Sequence, residues 1–294
     1  MSILIIKLGA SGDVVRTTVL LHKLKGELFW MTSDQNIQLL TGISHVNTVK
    51  WADKHSLYGK HFNLVINLED SKEIAYVLRK LKHDELFGAY LSNDGRMMYT
   101  ENSKDWFDLS LISRFGRQEA DKLKLLNRKS FQELIYRGLG YAFQGEAYYL
   151  PKSQDSDLSG DIAIAGNAGT VWPMKNWAFY KELARVLTDE GYKVNFLPNR
   201  DTMIEHLADI RNHKYFISGD SLPMHFALGS GIKCLTLFIC TSPWEIYDYR
   251  IQKKVISRKL GKYFYRRDFD PEAVRSVSVN EVYASFKQLQ VGEL

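Results

Sequence analysis

The sequence predicts an α/β protein of two domains, each built on a mostly parallel sheet. Three observations lead there. Short apolar runs of strand length alternate with helix-like patterns along the chain. That alternation is interrupted at residues 151–160, a polar stretch with Pro at one end and Gly at the other, and then restarts. At 294 residues and 45% hydrophobic, the chain is long for one compact domain and short for three.

The first element is Ile3-Leu4-Ile5-Ile6, a continuous apolar run suited to a parallel strand buried on both faces. A turn at residues 8–13 follows, then a helical pattern carried by Val14, Val15, Thr18, Val19, Leu21, His22 and Leu24. Further strands are expected at residues 28–31, 46–50, 64–67 and 86–90, with a helix over 71–81. Residues 103–140 read as mainly helical and basic. After the linker, strands are expected at 162–165, 194–197, 215–217 and 234–239. Helices are expected at 176–190, 201–211, 222–228 and 279–289. The domains are therefore placed at 1–152 and 153–294. No internal repeat is visible.

Composition excludes several classes. The aromatic share of 13% and charged share of 25% are those of a globular protein, not a disordered or fibrous one. A net charge of +5 suits an anionic small molecule or membrane surface and falls short of a nucleic-acid footprint. Cys234 and Cys240 form neither a C-x-x-C pair nor a metal-ligand cluster, so a reducing compartment is expected. No apolar run reaches 18 residues and no secretory signal is seen. A cytoplasmic location is the expectation.

Four places could carry chemistry, each at the carboxyl end of an expected strand, where open α/β sheets bind ligands. Gly9-Ala10-Ser11-Gly12-Asp13 matches neither a Walker A loop nor G-x-G-x-x-G. Asp13 is either a helix cap or a carboxylate placed to take a proton from a substrate hydroxyl. Arg16, one turn on, either holds an anionic acceptor or lies in solvent. Ser218-Gly219-Asp220-Ser221-Leu222-Pro223-Met224-His225 runs from a strand into a helix whose first amides suit a diphosphate. Asp220 and Ser221 could instead be caps, and His225 a structural histidine. Thr241-Ser242-Pro243-Trp244 offers hydroxyls for phosphate oxygens and aromatics for a base or sugar. Gly166-Asn167-Ala168-Gly169-Thr170-Val171-Trp172-Pro173-Met174-Lys175 is a Gly-rich turn before a helix. Lys175 there is a counter-charge or, slightly preferred, a solvated helix-start residue. Asp155-Ser156-Asp157 reads as a solvated turn and Tyr263-Phe264-Tyr265-Arg266-Arg267 as a packed segment with basic tips. His206 and His213 lack the neighbours of a metal site.

With these segments in order, the chain resembles glycosyltransferase family 9, the heptosyltransferases. The matching segments are Ile3 to Lys7 with Gly12-Asp13-Val14-Val15, then Trp172-Pro173-Met174-Lys175-Asn176-Trp177 with Gly191-Tyr192-Lys193-Val194. The third is Gly219-Asp220-Ser221 through Pro223-Met224-His225 to Thr241-Ser242-Pro243.

The resemblance implies a GT-B fold, two Rossmann-like domains facing across a cleft, the closing helix free to pack back on the first. It implies an inverting, metal-independent transfer from a nucleotide diphosphate sugar, without a cofactor. The acceptor would be a hydroxyl of a bacterial surface glycan such as lipopolysaccharide core. Asp13 matches the catalytic base, with Gly12 and Arg16 on the acceptor side. Asp220, Ser221, Met224, His225, Thr241, Ser242, Gly169, Thr170 and Lys175 fall on the donor side. A glycolipid acceptor would bring peripheral contact with the cytoplasmic face of the inner membrane; no nucleic-acid partner is implied. The chain departs from the family at Thr170, where a basic residue is usual, and at Leu222, where Gly is common. Two alternatives stand beside this reading: a transferase of the same family for a small-molecule or protein acceptor, and a silent sugar-nucleotide-binding module.

Overall fold

The structure is a computed structural model describing residues 1–109, 115–152 and 154–293. The chain divides into two compact units, Met1–Pro151 and Lys152–Leu294.

The first unit carries a six-stranded sheet: β1 (Ser2–Ile6), β2 (Glu27–Thr32), β3 (Val46–Lys50), β4 (His61–Asn67), β5 (Lys82–Leu91) and β6 (Met97–Tyr99). Their order is β3-β2-β1-β4-β5-β6, all parallel except the last pair. Ile3, Leu4, Ile5 and Ile6 are each 0% exposed, as the continuous apolar run requires of a central strand. Leu4 and Ile6 pack with Phe29, Met31 and Val65 beneath Ile74, Val77 and Leu78 of helix α2 (Lys72–Leu78). The three helix positions are one apolar stripe at helical spacing.

The chain after β1 is less helical than its pattern predicts. Helix α1 covers only Ser11–Thr17 and a 3-10 segment, Thr18–His22, follows. Thr17 Oγ1 bonds the Asp13 carbonyl at 2.7 Å and Thr18 Oγ1 the Val15 carbonyl at 2.6 Å. Such hydroxyls compete with the helical ladder for its carbonyls. Strand β6 is absent from the sequence expectation because it is three residues long. It returns antiparallel to β5 through Ser92-Asn93-Asp94-Gly95, with Gly95 at φ +79°. The Asp-Gly pair is the local signal that could have found it. Within 103–140 the described helices are α3 (Lys104–Asp108), α4 (Arg117–Leu126) and α5 (Phe131–Gly138); residues 110–114 lie outside the described residues.

The second unit has a fully parallel sheet of β7 (Gly160–Ala165), β8 (Val194–Phe196), β9 (His213–Gly219), β10 (Lys233–Phe238) and β11 (Gln252–Ile256), ordered β11-β10-β9-β7-β8. The helices are α6 (Tyr180–Asp189), α7 (Met203–Arg211), α8 (Leu222–Gly229), α9 (Leu260–Tyr263), α10 (Pro271–Val274) and α11 (Val279–Val291). The predicted helix at 176–190 starts late, at Tyr180. The Ala178 amide is drawn out to the Val274 carbonyl and the Trp177 indole to Val277. Strand β11 is also unexpected, since Gln-Lys-Lys-Val-Ile has little strand character; it is a basic sheet edge. Val282, Phe286 and Leu289 of α11 join Ile162, Leu183, Leu187 and Val255 in one core, so the closing helix gives its apolar face to its own unit. In the linker, Asp155 and Asp157 are exposed, as expected of a solvated turn, while Ser156 Oγ donates to Asp209 and Asp157 pairs with Arg200; Ser153 lies outside the described residues.

Candidate functional site

The strand order reverses direction between β1 and β4 in one unit and between β7 and β9 in the other. Ligands in such sheets bind beyond the carboxyl ends at the point of reversal. Each unit has a charged constellation there.

In the first unit Lys7 ends β1 and its ammonium is buried, 7% exposed. Its Nζ donates to Glu69 Oε1 at 2.9 Å and lies 3.8 Å from Asp13 Oδ2. The Leu8 and Gly9 amides donate to the same Glu69 oxygen at 2.7 and 3.2 Å. The glycine turn therefore has a carboxylate of its own. Asn36 braces it, accepting from Ser11 Oγ and donating to the Leu8 carbonyl, both at 2.7 Å.

Asp13 does not cap α1; Ala10 is the N-cap and no side chain caps it. Asp13 Oδ1 instead accepts from Arg16 Nη2 at 2.8 Å and Nε at 3.0 Å, while its carboxylate keeps 32% exposure. Arg16 is not the solvated residue of the bland reading. It is 11% exposed and its guanidinium lies 3.8 Å over the Phe131 ring. Gly12 lies in the first turn of α1.

Beside Glu69, Asp70 accepts from Tyr99 Oη at 2.9 Å, while its Oδ2 is buried with no hydrogen-bond partner among the described residues. Burial pushes the Asp70 carboxyl up to about 6; the Tyr99 hydroxyl opposes this and Glu69 adds to it. Sequence reasoning missed Glu69, Asp70 and Tyr99 and left Lys7 without a role. Glu69 and Asp70 directly follow β4, so the carboxyl-end rule could have found them.

In the second unit β9 ends at Gly219. A Cβ there would meet the Lys175 carbonyl at 2.9 Å, so glycine permits the Trp-Pro segment to lie against the strand end. Lys175 is therefore a counter-charge, not a solvated helix start. Its Nζ donates to the Asp220 carbonyl at 2.6 Å and to Oδ2 at 2.9 Å, and the two side chains are 12% and 16% exposed. Burial pushes the Asp220 carboxyl up, but Lys175 and His225 outweigh it and hold the group at about 2.

Ser221 is the N-cap of α8, yet its hydroxyl leans to the Gly219 carbonyl at 3.4 Å and leaves the helix start without a side-chain cap. His225 is 4% exposed. Met224 is 0% exposed. At the end of β10, Thr241 and Ser242 are each 2% exposed, and their hydroxyls have no hydrogen-bond partner of normal geometry among the described residues. Thr241 lies near enough to Asp220 to favour its charged form. A buried hydroxyl with no partner among the described residues, as at Ser242, is costly unless something binds it.

Lys254 of β11 donates to the carbonyls of Pro243 at 2.8 Å and Ile246 at 2.6 Å, and so fixes the loop that carries Thr241 and Ser242. Nothing in the sequence pointed to it, because its strand has no pattern of its own. Gly169, at φ +71°, and Thr170 sit in an exposed turn before Trp172. Trp172 meets Tyr265 edge-on at 5.3 Å, with the Arg267 guanidinium 5.2 Å from its ring. The aromatic-basic run is thus packed on this unit, as expected. Among the described residues no group of three or more His, Cys, Asp or Glu could hold a metal ion.

No protein-family model matches the sequence, and no curated protein does. Solved structures do match its fold along nearly the whole chain. A glycosyltransferase family 9 protein from Veillonella parvula aligns at a TM-score of 0.68 and 15% identity, covering 99% of this chain and 97% of that one. The E. coli heptosyltransferase WaaC, solved with ADP-2-deoxy-2-fluoro heptose, aligns at 0.59 and 12% identity, covering 98% and 99%. E. coli ADP-heptose lps heptosyltransferase II aligns at 0.59 and 16%, covering 100% and 99%. The fold is therefore that of the heptosyltransferases, as the resemblance implies: two α/β units with mostly parallel sheets.

Proposed function

We propose that the protein is an inverting glycosyltransferase that moves a sugar from a nucleotide diphosphate sugar to an acceptor hydroxyl. The observation that carries this reading is the unequal charge design at the two points of strand reversal. The first presents a partly exposed carboxylate, Asp13, flanked by Lys7 and Arg16. The second presents a helix start without a side-chain cap, a carboxylate neutralised by Lys175, and the buried hydroxyls of Thr241 and Ser242. A carboxylate suits proton removal, and a donor-rich turn whose carboxylate is neutralised suits a diphosphate.

In the reaction the acceptor hydroxyl gives its proton to an Asp13 oxygen while its own oxygen bonds the anomeric carbon. The bond from that carbon to the diphosphate oxygen breaks, and the nucleoside diphosphate leaves with the electron pair. Lys175, the amides opening α8, and the Thr241 and Ser242 hydroxyls stabilise its growing charge in place of a metal. Arg16, on the acceptor side, holds the Asp13 carboxylate in place. The match in fold to heptosyltransferases supports ADP-heptose as donor and lipopolysaccharide core as acceptor. That acceptor would hold the protein at the cytoplasmic membrane face; no described helix is long and apolar enough to cross a membrane.

A thermal-shift panel of ADP-, GDP- and UDP-sugars tests the donor site. One nucleotide class should raise Tm by several degrees, since ligand at about 100 times Kd adds about 2.7 kcal/mol. The shift should survive a chelator. No shift from any class refutes the donor reading. Release of nucleoside diphosphate with a lipopolysaccharide-core acceptor, against a small sugar or a glycosylatable peptide, identifies the acceptor class. Binding without any transfer would mark a silent module.

A further inference from the structure

Glu69 has no part in the proposed reaction, yet it is the most heavily engaged carboxylate beside Asp13. One oxygen, Oε1, takes three donors: Lys7 Nζ at 2.9 Å, Leu8 N at 2.7 Å and Gly9 N at 3.2 Å. Its backbone is anchored as well. The Asn67 side chain accepts from the Glu69 amide at 3.2 Å, donates to the Glu69 carbonyl at 3.1 Å, and reaches across to the Ala89 carbonyl on β5 at 2.7 Å. Asn67 is 0% exposed, so this anchor is rigid.

Two consequences follow. Two amides of the glycine turn, Leu8 and Gly9, are already occupied, so these donors are closed to an anion. The Lys7 ammonium is also shared. Asp13 Oδ2 is 3.8 Å from it, too far for a tight pair, while Glu69 holds it at hydrogen-bond distance.

Removing the Glu69 charge would leave a buried ammonium facing Asp13 alone on that side. A cation that close favours the charged carboxylate and makes it a weaker base. On its other oxygen Asp13 is bonded by Arg16, from its own helix, at 2.8 and 3.0 Å, and no variant of Glu69 or Lys7 removes that partner.

Resting on the reading of Asp13 as the base, we propose that Glu69 is a positioning residue for it. Glu69 draws Lys7 away from Asp13 and fills the turn, so that Asp13 stays basic enough to accept the acceptor's proton and no anion enters beside it. The turn, by this account, serves an acceptor hydroxyl and not a phosphate.

The test is a carbon-13 carboxyl titration of the full chain, with the Asp13 signal assigned by its loss in Asp13→Asn. In Glu69→Gln the Asp13 midpoint should fall by about half a pH unit or more; in Lys7→Gln it should rise by a similar amount. Glu69→Asp should return it toward the starting value. With the donor found by thermal shift, Glu69→Gln should lower kcat about three- to tenfold and leave donor KM unchanged.

Opposite displacements from the two variants are what a mere loss of packing would not produce. Midpoints that stay put, or move the same way in both variants, overturn the proposal. Should Glu69→Gln fail to fold, Lys7→Gln and Glu69→Asp still decide it. Midpoints that move as stated, with Asp13→Asn fully active, would overturn the base reading and leave the charge coupling standing.

Discussion

The β1–α1 turn and the β9–α8 turn each flank the point of strand reversal in their own sheet, and they are built in opposite ways. In the first, a carboxylate from outside the turn, Glu69, takes up the Leu8 and Gly9 amides. In the second, a cation from outside the turn, Lys175, takes up the carboxylate of Asp220. The first thereby has two of its anion-binding amides filled and leaves Asp13 as its partly exposed carboxylate. The second has its negative charge neutralised and carries the buried hydroxyls of Thr241 and Ser242. The fate of each side's carboxylate follows its neighbours. Asp70 is pushed up to about 6 by burial beside Glu69, while Asp220, held by Lys175 and His225 against burial, lies at about 2. One supersecondary unit, strand to turn to helix, serves two chemistries according to which charge arrives from a distant segment.

The division of labour is broken most directly at Asp13. Asp13→Asn should lower kcat by about 10²- to 10⁴-fold, the usual worth of a general base. The same variant should show an undiminished thermal shift with the donor nucleotide. A donor shift lost along with activity would mean that both turns contact the donor, and the contrast would fall.

Lys175→Met strands the Asp220 carboxylate in a largely buried place. Chemical denaturation should show a loss of about 3 kcal/mol, with Lys175→Arg recovering part of it. A loss under about 0.5 kcal/mol would show the pair to be ornamental on the surface scale.

The acid limb of stability sharpens the contrast further. The Asp220 carboxyl is lowered in the fold from an ordinary 3.8 to about 2. Its contribution, about 2 kcal/mol, is present in full above the ordinary value and is lost as pH falls from there through the folded value. Urea unfolding from pH 6 to 2 should be less steeply pH-dependent in Asp220→Asn than in the natural chain.

Asp70 should behave in the reverse sense. Its folded value, about 6, is raised, so the fold is favoured by protonation and penalised as pH rises through 6. Asp70→Asn should give a small rise in Tm at pH 7.5, where the carboxyl is charged in both states. That gain should vanish below about pH 3, where it is protonated in both. An equal gain at both pH values would assign the effect to packing.

Much of this fold is legible in the residues themselves. The apolar run at residues 3–6 is a central strand because no other placement buries four consecutive large side chains, and they are 0% exposed. Glycine next to aspartate after β1 and after β9 marks both turns, since only short, permissive residues let a strand end turn straight into a helix. The misses are also physical. Three-residue β6 and lysine-rich β11 are edge strands stabilised by a neighbour, not by their own pattern. With them went Tyr99 and Lys254.

The two α/β units, the strands of their cores and the two turns where chemistry is concentrated follow from the chain's local pattern. Apolar periodicity and glycine placement act over a few residues, so they are written within short windows. Which charges meet is a matter of the folded arrangement. Lys7 reaches Glu69 across 62 residues, Lys175 reaches Asp220 across 45 and Tyr99 reaches Asp70 across 29. Those meetings depend on β1 lying beside β4, β7 beside β9 and β5 beside β6, and strand order is a long-range property that no short window of sequence contains. Thus Asp13 can be named from its turn, whereas the partners that set its charge are assembled only by the sheet.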